Sequence, residues 1–251
     1  MSFSMFSPLE QFQIIALIPI KLGSFNVSLS NSSFFGMFAV FLVLTLAHMV
    51  LHGATIVPNR WQSLFESLYD FVLSLITENI KSGGLPYFPM VFAVFLFILS
   101  CNLIGMIPYS FTVTSHIVVT LGLAMGLFIG INIIGAQIHG WHFFSLFLPA
   151  GVPIVMAPFL VMVELIGYSF RVISIALRLF ANMMAGHSLL KILAGFGWTM
   201  FASGGILAVA HLLPVLVIFG IVGLELGIAF LQAYVFSVLL CVYLNDAISL
   251  H

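Results

Sequence analysis

Charge is what this sequence has least of. Of 251 residues, six are Lys or Arg and seven are Asp or Glu, so 5% of the chain is charged against 63% hydrophobic, with a mean hydropathy of +1.28. No water-soluble domain has a surface that poor in charge, and the chain reads as a polytopic, all-α membrane protein. Six scattered cations leave no footprint for nucleic acid. Cysteine is nearly absent too. Cys101 and Cys241 lie far apart inside apolar runs, where they read as small buried hydrophobes, not as a disulfide or a metal site. The N-terminus lacks the Arg-rich, acid-free pattern of an import presequence and the early positive charge of a clean signal peptide, so insertion is expected to rest on the spans themselves. There is no internal repeat of useful length and no linker, and residues 1–251 read as a single membrane domain.

What is present is apolar length. After a mixed lead-in with a loop around Ser28–Ser33, an uncharged run supports one transmembrane helix over 34–52. From Arg60 to Lys81 the pattern changes. Trp61, Leu64, Phe65, Leu68, Val72, Leu75 and Ile76 recur at helical spacing, with Glu66, Asp70 and Glu78 between them, which predicts an amphipathic helix over 60–81 lying in the interface. Pro86 and Pro89 open a membrane hairpin over 87–138, and Pro149, Pro153 and Pro158 introduce a longer one over 153–247. From Pro158 to about Leu193 the apolar segment would make a helix of roughly 50 Å, against a hydrocarbon core of about 30 Å. It is expected to be steeply tilted or broken.

That last hairpin holds almost all the charge found inside apolar sequence. Glu164, Arg171 and Arg178 are each seven apart, as are Glu225 and Gln232, with Asp246 a further fourteen on. Positions seven apart differ by about 20° around a helix, so each set shares one stripe. The turn signal is Phe201-Ala202-Ser203-Gly204-Gly205. Folding about it sets Arg178 opposite Gln232, Glu164 opposite Asp246 and His187 opposite Glu225. His187, nine residues beyond Arg178, serves a different face from the arginine stripe.

An Arg in mid-helix costs about 2.5–3.5 kcal/mol on insertion scales. It reads either as one half of an ion pair with Glu164 or Glu225, or as a fixed cation beside an ion path, for which Arg suits because its charge survives burial. Arg171 is open to the same two readings. Glu164, Glu225, Asp246 and His187 are the residue types a membrane proton path needs, although Asp246 could simply sit in the interface. Asn102, Asn182 and Gln232 have helix–helix hydrogen bonding as their commoner role. His116, His139 and His142 lack metal-ligand spacing, and Trp61, Trp141 and Trp198 read as interfacial anchors. No cofactor is implied.

The residues also carry a resemblance. Arg171–Lys191, reading RVISIALRLFANMMAGHSLLK, resembles the signature segment of subunit a of rotary F-type ATP synthases. So do SCNLIGMIPYSF at 100–111, HGWHFFSLFLPAGVP at 139–153 and the ending LEL…QAYVFSVLLCVYLNDAISLH, while Ala185-Gly186-His187 and the Tyr-Leu-Asn-Asp ending are similar to the mitochondrial branch. The resemblance implies a stator subunit of the mitochondrial inner membrane that performs no chemistry alone. Its two tilted helices would lie against a rotating ring of c subunits, beside peripheral-stalk and small membrane subunits. It implies that Arg178 is the essential Arg facing the ring carboxylates, that His187 and Glu225 line one proton access path and Glu164 and Asp246 the other, and that Asn182 and Gln232 are polar positions close to the Arg. Arg60 and Lys81 favour a matrix side for the interfacial helix by the positive-inside rule. Two other classes compete: an autonomous ion channel or secondary transporter using the same carboxylates, and a structural scaffold. A transporter favours paired repeats with broken helices, which are not seen, and a scaffold leaves two aligned ionisable seams without a purpose.

Overall fold

Apolar length dictates the architecture. Among the described residues, five helical stretches are long and apolar enough to cross a membrane: Asn31–His52, Leu85–Gly105, Ile117–His139, Ala157–Ala202 and Gly205–Ile248. The computed structural model describes residues 7–22, 25, 26, 28–80, 83–107, 110–140, 143 and 156–249. Lys81, Pro108, Trp141, His142, Pro149 and Pro153 lie outside them.

The lead-in is not a plain loop. Strand β1 (Ala16–Ile18) pairs antiparallel with β4 (Leu29–Ser30), and β2 (Lys21–Leu22) pairs with β3 (Phe25–Asn26) inside them. Asn31 closes this element on the first helix. Its side chain accepts from the Ile15 and Ser32 amides and donates to the Gln13 carbonyl. Ser30 and Ser33 exchange side-chain and backbone hydrogen bonds across the first turn, a reciprocal cap that starts α1 (Asn31–His52) three residues before the apolar run itself.

Helix α2 (Arg60–Asn79) is amphipathic, as its periodicity predicts, and buries Val72, Leu75 and Ile76. Trp61 and Leu64 are exposed and Gln62 is buried, because Gln62 bonds both Thr55 and Glu66 and so satisfies a polar group that an apolar neighbour would leave stranded. Then follow α3 (Phe88–Gly105), α4 (Ile117–His139), α5 (Ala157–Ala202), the short α6 (Gly205–Ala210) and α7 (Leu212–Ile248). α5 runs unbroken for 46 residues, about 70 Å at 1.5 Å per residue, which an upright span cannot accommodate. Gly204 and Gly205 end it with φ of 69° and 63°, two successive left-handed residues that only glycine adopts at little cost.

The chain divides into two compact units. One comprises Met1–Leu42, Ile98–His116 and Leu179–Gln232, and the other Val43–Phe97, Ile117–Arg178 and Ala233–His251. α1, α3, α5 and α7 each pass from one unit into the other, so neither unit is a separable stretch of chain. In the first, α5 and α7 run antiparallel from the glycine turn, with Gly197 packed on the ring of Pro214. In the second, α2 and α3 interlock through aromatic pairs such as Tyr69–Phe88 and Phe71–Phe95. There Tyr168 of α5 donates to Asn132 of α4 (3.2 Å), and His139 at the end of α4 meets the Ile248 carbonyl at the end of α7 (3.0 Å).

Candidate functional site

The sequence-predicted residues fall into two clusters, one in each unit. In the first unit the centre is Glu225. It is 2% exposed, and neither carboxylate oxygen has a hydrogen-bond partner among the described residues. Apolar residues flank it on α7, so the helix forms regardless of the carboxylate, and packing against α5 decides where the group goes. It goes against Gly186. A Cβ built on Gly186 would overlap Glu225 Oε1 and lie 2.8 Å from Cδ, so the carboxyl occupies the space of the missing side chain. His187 is the next residue, half-buried, and its Nε2 also lacks a partner among the described residues. Asn182 is half-buried on α5, and Gln232, seven residues after Glu225, is buried.

A buried acceptor left without a donor costs on the order of 1–3 kcal/mol, and more when charged. Structural carboxylates avoid that cost by pairing. A carboxyl lodged between helices with no fixed partner is a group free to exchange a proton.

In the second unit the centre is an open cleft of about 520 Å³ lined by Gly167, Arg171, Ser174 and Arg178 of α5, with Phe170 and Ile175 beside them, and by Leu239, Val242 and Tyr243 of α7. The first four recur at spacings of four, three and four, which keeps them on one face. Gly167 and Ser174 have absent or short side chains, and the two arginines are long enough to reach out, so the wall stays open. Both arginines are exposed, and Arg178 forms no hydrogen bond or ion pair among the described residues. The structural-pair reading of Arg178 therefore finds no support here. Tyr243 lies in the field of Arg171, Arg178 and Asp246, and Tyr168 in that of Asp246 and Arg171. Glu164 is half-buried, one turn before Tyr168, and Asp246 is half-buried, three residues after Tyr243.

Sequence reasoning missed four contributors. Tyr168, Tyr243 and Asn132 surround the Asp246 end, and tyrosines scattered in apolar helices give no periodic signal of this. Gly186 contributes by lacking a side chain where the Glu225 carboxyl sits, which composition cannot flag. Among the described residues no group of three or more His, Cys, Asp or Glu is placed to hold a metal ion.

Residues 32–245 match the family described as ATP synthase A chain. The chain is similar to ATP synthase subunit a of Marchantia polymorpha, 59% identical over 249 residues, covering 98% of this chain and 99% of that protein. It is also similar to ATP synthase subunit a of Brassica napus (55% identical, covering 98% and 97%) and of Chondrus crispus (52% identical, covering 98% and 97%).

Proposed function

The chain belongs to the ATP synthase subunit a family, a multi-pass component of the membrane sector that works with other subunits of the complex, and from that premise we propose that it carries protons to a carboxylate-bearing rotor ring. In this reading a proton enters by way of His187 and Glu225 and neutralises a ring carboxylate. The ring then turns through lipid. On its return the carboxylate meets Arg178, releases its proton toward Glu164 and Asp246, and passes as an anion. Arg171, Asn182 and Gln232 shape the polar surroundings of that passage. The setting is the mitochondrial inner membrane, and the neighbours are the c-ring, peripheral-stalk and small membrane subunits.

The observation that carries the reading is Arg178 standing exposed, with no hydrogen-bond or ion-pair partner among the described residues, on an open wall of an apolar helix. Two unit charges about 4 Å apart attract by about 4 kcal/mol at an effective dielectric of about 20. That favours the ionised ring carboxylate beside the guanidinium without trapping it. The membrane potential adds about 2.3 kcal/mol per charge per 100 mV to drive the cycle. Because a guanidinium does not deprotonate, it also stops a proton passing directly from one access path to the other. Arg178→Ala in a fully assembled complex is expected to abolish proton-driven ATP synthesis in sealed vesicles. Synthesis at the native rate in that complex would overturn the assignment.

A further inference from the structure

Asn102 has no place in the proton path, yet it is one of the best-satisfied polar groups in the first unit. It is fully buried on α3. Its Nδ2 donates across to the backbone carbonyl of Ala229 on α7 (3.2 Å), and its Oδ1 accepts from the hydroxyl of Thr114 (2.9 Å), itself buried in the short turn Val113–Ser115. Ala229 is one helical turn after Glu225, and it is fully buried with no side chain beyond Cβ, which lets α3 come close enough to reach the backbone.

The physical need for such a contact follows from the composition of α7. Between Leu212 and Ile248 its side chains are apolar almost all round. In lipid an apolar helix gains no hydrophobic energy by turning one face rather than another toward its neighbours. Its rotation about its own axis must then be set by packing and by polar contacts. Rotation matters at Glu225: a carboxyl carried about 6 Å from the helix axis moves about 2 Å for a 20° turn. A shift of that size would carry the carboxyl out of the space left by the missing Gly186 side chain. Buried polar contacts are well suited to fixing register of this kind.

We propose that Asn102, held in place by Thr114, is a positioning residue that fixes the rotation of α7 and so seats the Glu225 carboxyl against Gly186. As a matter of function this rests on the reading of Glu225 as a proton-path group. The geometric part stands without it.

The test uses the assembled complex in sealed vesicles and four variants of this chain. Thr114→Val keeps the shape and removes the hydroxyl, Thr114→Ser keeps the hydroxyl, Asn102→Leu removes the amide, and Glu225→Gln checks the underlying reading. Two readouts are taken: the pH profile of ATP-driven proton pumping, and the rate at which dicyclohexylcarbodiimide labels Glu225, measured by mass spectrometry on this chain. Loss of an interhelical hydrogen bond in a membrane is expected to change both by about three- to tenfold. Thr114→Val and Asn102→Leu should show that change, and Thr114→Ser should restore native behaviour. If Asn102→Leu does not assemble, the Thr114 pair decides. Native pumping and labelling in an assembled Thr114→Val complex overturn the proposal. Should Glu225→Gln pump at the native rate, the proton-path reading of Glu225 fails, while labelling still decides the positioning role.

Discussion

Adding one methyl group to Gly186 isolates the contribution of the Glu225 seat. In Gly186→Ala the new Cβ falls on Glu225 Oε1, and the carboxyl, being the far end of a flexible side chain, swings away while the backbone stays in place. The displacement forces Glu225 off its preferred rotamer or out of its pocket, at about 0.5–1.5 kcal/mol. Against this, Ala is a better helix former than Gly by up to about 1 kcal/mol, so the fold is left nearly as stable as before. Stability and function are therefore expected to part. The complex should assemble to native abundance with an unchanged melting temperature, while proton pumping falls about two- to tenfold, the kinetic equivalent of that displacement. The assay is ATP-driven acidification of vesicles at matched complex content, beside calorimetry of the purified complex. A double-mutant cycle sharpens it: once Glu225→Ala has removed the carboxyl, Gly186→Ala has nothing to displace and should cost nothing further. Native pumping by Gly186→Ala, or an equal loss in the presence and absence of the carboxyl, would refute the idea that the glycine exists to make room for the acid.

Three further outcomes are expected. Arg178→Lys should not rescue function, since an ammonium in an apolar setting sheds its charge where a guanidinium keeps it; coupled synthesis near the native rate in that variant contradicts the fixed-cation role. Burial lowers the His116 imidazole below its ordinary pKa of 6.5, partly opposed by a hydrogen bond to the Phe12 backbone. The unfolded chain therefore takes up the proton first as pH falls. The stability this group contributes is complete above about 6.5 and is lost below it, so proteolysis around the 110–116 segment should quicken on acidification, and less so in His116→Asn. Tyr168→Phe removes the bond to Asn132 and should lower the thermal stability of the complex by about 0.6 kcal/mol, with exchange of the neighbouring α4 amides as the readout.

The long apolar runs and the amphipathic α2 were legible, because hydrophobic length and helical period are properties of the sequence itself. The register of the last hairpin was legible too. A turn placed at Gly204-Gly205 predicts which residues of α5 face which of α7, and Gly197 on Pro214 and Gly186 on Glu225 follow that register. The rest depends on contacts distant in sequence. Asn102 and Ala229 are separated by 127 positions, and nothing local to either marks the other as its partner. The N-terminal strands are two or three residues long, too short for alternation to show, and they are held by the Asn31 side chain more than by their own pattern. The burial of Gln62 in place of Trp61 likewise turns on two hydrogen bonds that periodicity cannot anticipate.

The uninterrupted length of α5 bears on how the chain is made. Insertion machinery releases apolar segments of about 20 residues as upright spans, and this one has 46, with two guanidinium groups along an open side. Newly synthesised, such a segment has no comfortable resting place in a bare bilayer. It reaches one only when a neighbour covers that side, so biogenesis and assembly become a single event.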